Sequence, residues 1–455
     1  MSAPPPRKLR PELPEGPFLV VGLARSGQAV ARMLAARGEV VRGVDLGHPE
    51  GAAGLEGEGV EVVLDTDGLA LLEGIRTVVK SPGVPREAPV IAAALQRGVA
   101  VLGELELAWR AIPNRFLAVT GTNGKTTTVE LLGHLYRSAA EPVAVAGNIG
   151  TPLSSLAAEV DPAATIVCEA SSFQLEDTTA FAPECAVFLN LAPDHLDRHA
   201  DLDAYRAAKL RIFANQGNDD LAVYNADEPA LAGVDLGGCA RRVSFCHGAG
   251  PDCEVALAEG TIFYDGEPLV AVAELGLFGE HNVANAMAAA AAALAMGLDR
   301  EAVVEGLRSF AGVPHRLEQV AEIGGVRFVN DSKATNVASA TVGLRAFAGG
   351  VHAILGGSEK DEPFAPLVEP VRERCAACYL IGASADRLAA ELAPAVAAGV
   401  GLQRCEDLED AVRCAAAAAV PGDVVLLSPA CASFDAFENF EARGERFRGI
   451  VGGLR

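Results

Sequence analysis

The sequence predicts three α/β domains with mostly parallel sheets. Three observations carry that expectation. The chain has 455 residues, and at roughly 100–200 residues per domain this is too long for one hydrophobic core. Short β-branched runs alternate with alanine-rich helical runs, the pattern of βαβ units. Polar, glycine-bearing clusters follow the apolar runs, where an open parallel sheet places its binding loops. Half of the residues are hydrophobic and 21% are charged, so a sizeable core is available and whole-chain disorder is excluded.

The elements follow in order. Residues 18–22 (FLVVG) read as a strand, 28–37 as a helix, and 40–45 and 77–80 as further strands. Gly22 and Gly27 punctuate the first strand–helix turn. They suit either a phosphate at a helix N-terminus or a tight turn without ligand. A helix over 103–111 leads to Ile112-Pro113-Asn114, a first seam, and a new strand begins at 115. Strand–helix alternation is expected to continue to about residue 310. A second seam falls at Gly312-Val313-Pro314, after an alanine-rich helix and an amphipathic helix over 300–310. Strands at 326–330, 351–355, 377–381 and 424–428 complete the chain. The expected domains are therefore 1–103, 104–312 and 313–455.

The 60 acidic residues outnumber the 37 basic ones, for a net charge of −23. No basic footprint for nucleic acid or a polybasic membrane surface is present. The ten cysteines are scattered. The one C-x-x-C, Cys375 and Cys378, has no second pair to complete a zinc set, so reduced thiols are expected. The first sixteen residues lack an apolar signal-peptide core, and the longest apolar stretch, 286–296, is too short to span a bilayer. A soluble cytoplasmic protein is expected.

The strongest local motif is TGTNGKTT, residues 120–127, between an apolar strand and a helix. Its glycines let successive N–H groups face phosphate oxygens. Lys125 can reach terminal phosphates, and the Thr126 hydroxyl can ligate Mg²⁺. Glu169 ends another apolar strand, placed either to hold a cation or to cap a helix. The loop carrying Asp194, His195, Asp197 and His199 concentrates carboxylate and imidazole, suited to a metal or phosphate role. Lys209 lies on a helix with Arg206 and Arg211, which on spacing alone reads as a solvated basic face. Asn282 and Asn285 share a helix face and suit either a cap or a purine edge. In the last third, clusters around His315–Arg316, Asp331–Asn336, Ser358–Asp361 and Ser433–Asp435 follow or precede strands and describe a pocket for a small anion.

Taken together these motifs resemble the ATP-dependent Mur ligases of peptidoglycan synthesis. The segments GTNGKTT, NIG, EASSFQLE, DHLDRH, YRAAKLRIF, GEHNVANA, PHRLE, NDSKATN and SPACASFDAFENF occur in the family's order over nearly the whole chain. SSFQLE, NDSKATN and SPACAS are selective for the D-glutamate-adding branch. Folylpolyglutamate synthases share GTNGKTT, so a sister ligase is the alternative.

The resemblance implies a Rossmann-like N-terminal domain for the UDP moiety, a central P-loop-type ATPase domain, and a Rossmann-like C-terminal domain for the amino acid. It implies ATP, UDP-N-acetylmuramoyl-L-alanine and D-glutamate as substrates, two Mg²⁺ ions, and a monomer. Gly121, Thr122, Asn123, Gly124, Lys125, Thr126 and Thr127 would hold ATP phosphates, with Asn282, Asn285, Arg316, Asp331 and Lys333 also on the nucleotide side. Thr126, Glu169, His195 and a carbamylated Lys209 would bind metal. Arg25, Ser26, Gly83, Asn148 and His195 would meet the UDP substrate. Thr335, Lys360, Ser433 and Phe440 would receive D-glutamate. Lys125, His195, Lys209, His315 and Arg316 would be catalytic, His315 being a candidate amine base. Leu46-Gly47 stands where relatives often carry Thr-Arg near the uracil, so neither residue is carried over.

Overall fold

The computed structural model describes residues 4–148, 150–194, 198–248, 253–277, 280–358 and 362–454. His195 and Lys360, both expected in the site, lie outside the described residues, as does Asp197. The chain divides into two units, residues 1–310 and 311–455.

The first unit opens with β1 (Phe18–Val21), β2 (Val41–Val44), β3 (Glu61–Val63), β4 (Thr77–Lys80) and β5 (Ala100–Gly103), ordered β3-β2-β1-β4-β5. All neighbours are parallel. β1 and β4 are buried along their whole length, and β1 accordingly reads as a continuous apolar run rather than an alternating one. Chain order reverses between them, which makes their carboxyl ends the crevice of this sheet. There Gly22 takes φ +87°, and a Cβ on Gly27 would lie 1.8 Å from the Gly22 carbonyl oxygen. The turn is that tight, so the following helix, Arg25–Ala36, starts three residues earlier than expected.

The second sheet comprises β6 (Arg115–Thr120), β7 (Val143–Gly147), β8 (Thr165–Glu169), β9 (Cys185–Phe188), β10 (Leu221–Asn225), β11 (Arg241–His247), β12 (Val255–Ala258), β13 (Thr261–Tyr264) and β14 (Glu267–Ala271). The order is β14-β13-β12-β11-β10-β9-β6-β8-β7. It is parallel from β7 to β12, but β12, β13 and β14 form antiparallel hairpins. Expected strand–helix alternation therefore breaks before residue 310. The turns Glu259-Gly260 and Asp265-Gly266 have positive φ at both residues, which matches the twist of two-residue hairpins. Helix Glu280–Ala295 buries every residue from Ala286 to Ala293. Alanine on all sides is the composition of a helix enclosed by neighbours. Among the described residues no helix is long and apolar enough to cross a membrane.

One expectation is corrected. Cys246 and Cys253 form a disulfide, because β11 and the start of β12 bring their Cα atoms to 6.2 Å. The remaining cysteines are free thiols.

Helix Glu104–Ala111 joins the first two sheets, and its first turn carries two buried carboxylates. Glu106 accepts from the N–H groups of Thr179, Ala180 and Phe181 and pairs with Arg110. Glu104 accepts from Ser154 N–H at 2.8 Å through one oxygen, and its other oxygen has no hydrogen-bond partner among the described residues. Burial raises the Glu104 carboxyl to about 7. An acid raised on folding keeps its proton longer in the native state, so ionisation costs stability as pH climbs from the unfolded value towards 7. The cost is on the order of 3 kcal/mol above that window. Glu104→Gln is expected to raise the melting temperature at pH 8 and to leave it nearly unchanged at pH 4. A melting curve equally shifted at both pH values would contradict this.

The second unit has β15 (Glu318–Ile323), β16 (Val326–Asn330), β17 (Val351–Gly356), β18 (Cys375–Ile381), β19 (Gly401–Arg404) and β20 (Val424–Leu427), ordered β15-β16-β20-β17-β18-β19. β15 is antiparallel to β16 and the other pairings are parallel. The chain passes from β16 to β17 over the place of β20, so the three carboxyl ends lie side by side.

Candidate active site

β6 is flanked by β8 and β9, so its C-terminal loop sits at the point where strand order reverses. The loop 121–124 turns into helix Lys125–Ser138, leaving the first N–H groups of the helix for an anion. Gly124 has φ +82°, and a Cβ there would fall 2.2 Å from Asn285 Oδ1. Asn285 in turn donates to Asn282 Oδ1 at 3.0 Å, and both asparagines are buried. The asparagine pair thus packs on the phosphate loop. Lys125 Nζ donates to the carbonyls of Gly121 and Thr122, both at 2.9 Å. Asn123 N–H donates to Asn190 Oδ1, and Thr127 is buried behind the loop.

Thr126 Oγ1 donates to Glu169 Oε2 at 2.8 Å, and Asn148 Nδ2 donates to Glu169 Oε1 at 3.1 Å. Lys209, 1% exposed, donates to the Gly121 carbonyl at 2.8 Å and lies 4.5 Å over the Tyr205 ring. Its amine is lowered to about 6, first by burial and then by the charge of Lys125. Arg206 pairs with Asp203 at the surface, and Arg211 donates to Leu175 O. The basic face is thus not uniform: Lys209 alone turns into the loop.

Within the histidine loop, His199 is buried. It meets Ser172 Oγ at 3.1 Å and Glu176 at 3.4 Å, and it stacks on Phe173. This imidazole is occupied in holding helix Ser172–Glu176, which starts with a Ser171–Gln174 capping box. Those contacts were not legible as roles in the sequence.

At the first sheet's crevice Arg25 is exposed and Ser26 half-buried at the start of the helix, and Gly83 is exposed after β4. Ser81 Oγ donates to the Gly22 carbonyl at 2.6 Å, drawing the two loops together. Lys80, fully buried, pairs with Asp177 at 2.7 Å and donates to Val84 O.

In the second unit, His315 has φ +62° and Leu317 φ +45°, so the turn carrying Arg316 is strained. His315 is buried, with Nδ1 2.9 Å from Asn330 Nδ2, and a Cβ on Gly444 would collide with it at 2.1 Å. Burial lowers its pKa, which favours neutral imidazole. Asp331 is also buried, accepting from Ser428 Oγ at 2.7 Å and Leu317 N–H, and burial raises it to about 7. Lys333 lies 5.9 Å from the Phe440 ring centroid, Thr335 is half-buried beside it, and Ser433 is buried. The loops after β17 and β20 are zipped by Ser358 N–H to Ala432 O and Asp435 N–H to Ser358 Oγ, both 2.9 Å.

The largest omission from the sequence reading is Arg443, on helix Phe440–Gly452 and 1% exposed. Its guanidinium donates to Ser332 Oγ at 3.0 Å, Ser332 O at 2.9 Å, Cys431 O at 3.1 Å and Ala432 O at 3.3 Å. It ties the loop after β16 to the loop after β20 through four hydrogen bonds from one rigid plane.

These features define a three-domain α/β protein of the P-loop type. The description "Mur ligase MurD-like, N-terminal domain" matches residues 17–103, "Mur ligase middle domain" matches 119–293, and "Mur ligase, glutamate ligase domain" matches 315–431. The UDP-N-acetylmuramoylalanine–D-glutamate ligase of Acidobacterium capsulatum is 42% identical over 453 residues, covering 97% of each chain. The ligase of the same name from Pelotomaculum thermopropionicum is 42% identical over 452 residues, covering 96% of this chain and 97% of its own. The crystal structure of a UDP-N-acetylmuramate–alanine ligase from Thermotoga maritima shares the fold with a TM-score of 0.58 at 19% identity, covering 96% of this chain and 99% of its own. The chain belongs to the Mur ligase family, and it is an ATP-dependent ligase.

Proposed function

We propose that the protein joins D-glutamate to UDP-N-acetylmuramoyl-L-alanine at the expense of ATP, in the cytoplasm. Residues 1–103 would bind the UDP moiety, 104–312 ATP, and 313–455 the amino acid. The observation that carries the ligase reading is the Thr126–Glu169 contact at 2.8 Å beside Lys125, a hydroxyl and a carboxylate set against a phosphate loop. The identity of the substrates rests on the relatives at 42% over almost the whole of both chains.

A carboxylate is a poor acylating agent because oxide is a poor leaving group. Its oxygen attacks the γ-phosphorus, the bond to ADP breaks, and an acyl phosphate results. The D-glutamate amine then adds to the carbonyl, loses a proton, and the tetrahedral intermediate expels phosphate. The protein's task is to position anions and neutralise their charge. The 121–124 backbone and Lys125 would hold the triphosphate. Hard oxygen donors fit Mg²⁺, so Thr126 and Glu169 would hold one ion, and His195 with a carbamylated Lys209 a second. When bound, the ions offset the charge on the phosphate oxygens. Buried and turned to the neutral amine, Lys209 suits carbamate formation. His315 orders the turn that carries Arg316, while Thr335, Lys360, Ser433 and Phe440 would receive D-glutamate. Arg443 would position that pocket. Arg443→Met is expected to raise KM for D-glutamate at least about tenfold, the equivalent of one lost hydrogen bond, with a smaller change in kcat. Unchanged KM with a lowered melting temperature would leave it a purely structural residue.

The function is tested by phosphate release from ATP with UDP-N-acetylmuramoyl-L-alanine and, in turn, D-glutamate, L-glutamate, L-alanine and diaminopimelate. Release that depends on D-glutamate and the nucleotide sugar supports the reading, and release with another amino acid overturns it.

A further inference from the structure

The second unit holds a cluster that the ligase chemistry does not use. Cys405 follows edge strand β19, and its N–H donates to Leu380 O at 2.9 Å, fixing it to the sheet. Asp410 and Cys414 lie one turn apart on helix Leu408–Ala418, facing the same way. The ligand atoms of Cys405, Asp410 and Cys414 all lie within 4.8 Å of one another. Cys414 Sγ is 3.5 Å from Asp410 Oδ1, and Gln403 Nε2 is 3.1 Å from Cys414 Sγ. Asp410 is oriented from behind, because its Oδ2 accepts from Glu406 N–H at 3.1 Å. All three ligands are half-buried, which leaves one side of the cluster open to water.

From this geometry we infer that Cys405, Asp410 and Cys414 form a binding site for a thiophilic divalent cation of the Zn²⁺ or Co²⁺ class. Two sulfurs and one carboxylate oxygen are three of the four ligands such an ion takes, and a water would complete the tetrahedron. Two thiolates disfavour Mg²⁺, which prefers oxygen donors and octahedral geometry, so the site is chemically distinct from the one that serves ATP. All three ligands stand on or next to regular elements and their supporting hydrogen bond is in place, so little reorganisation is needed. A bound ion would clamp β19 to the helix behind it.

The test is Co²⁺ titration of the full-length chain with its Cys246–Cys253 disulfide intact. One equivalent is expected to give a thiolate-to-cobalt charge-transfer band that excess Mg²⁺ does not remove and Zn²⁺ does. Cys405→Ser and Cys414→Ser should each abolish the band and Asp410→Asn should weaken binding at least about tenfold. The double variant Cys375→Ser/Cys378→Ser should keep it. Zn²⁺ should raise the melting temperature of the parent chain and not of Cys414→Ser. The inference is overturned if the parent chain shows no band, if the band survives either cysteine substitution, if it vanishes with Cys375 and Cys378, or if mass spectrometry finds a Cys405–Cys414 disulfide instead of a metal adduct.

Discussion

Replacing Lys125 with alanine is expected to lower turnover by at least about a hundredfold while leaving the fold nearly intact. The magnitude follows from the charge the residue supplies. Removing one group that stabilises charge developing in a transition state costs roughly 10²–10³ in rate. The fold is spared because the Lys125 ammonium bonds to two backbone carbonyls, Gly121 O and Thr122 O, at the part-buried loop, where water can take its place. In the proposed role those same bonds would also serve catalysis: they hold the ammonium over the loop before a phosphate arrives, so less side-chain freedom would be lost on binding. Lys125→Arg keeps the charge but not the compact ammonium, and it is expected to recover only part of the activity. The measurement is ADP release at saturating ATP beside a thermal melt. Near-normal release from Lys125→Ala would remove the residue from its proposed place. A collapsed melting temperature would make the loss structural.

The sequence made the strand-end loops legible because their constraint is local. A glycine-bearing loop between an apolar run and a helix has few alternatives: Lys125 turns back onto its own loop, and Thr126 meets Glu169 at the end of the neighbouring strand. Asp265-Gly266 is a strong local turn signal for the β13–β14 hairpin, and it outweighs the strand–helix alternation expected there. Contacts distant in sequence were not readable. Nothing local marks Arg443 as the tie between Ser332 and Cys431, because three of its four partners are backbone carbonyls, which carry no sequence identity. The N-terminal arm carries no apolar run that would mark a contact. In the structure Arg10 forms a buried pair with Glu184, and Lys8 donates to Ala182 O, so the arm docks on the second sheet. The helix with Arg206, Lys209 and Arg211 shows the same limit. Three cations at short spacing look alike in sequence, and only burial separates the one that turns inward.

That separation makes Lys209→Arg the sharper of the two large tests, because it asks in which chemical form the lysine works. As a cation serving a phosphate, Lys209 would be replaced tolerably by arginine, which keeps the charge. As a carbamate it could not be replaced, because arginine does not lose its proton and cannot add to carbon dioxide. The surroundings favour the second form. The side chain is 1% exposed, its amine is lowered to about 6 by burial and by the nearby charge of Lys125, and it is held against the Gly121 carbonyl. Above that pH the amine is neutral. In the proposed carbamate form its lone pair would add to carbon dioxide, one proton would go to solvent, and the product would be an anionic oxygen donor of the kind Mg²⁺ accepts. Below that pH the ammonium would reform and the carbamate would be lost. Lys209→Arg is therefore expected to lower turnover at least about a hundredfold, as for the loss of a transition-state charge interaction. It should also erase a carbamate carbon resonance that ¹³C-bicarbonate gives with the parent chain. An arginine variant with near-parental turnover, or an active parent chain without that resonance, would show that the buried lysine acts as a plain amine.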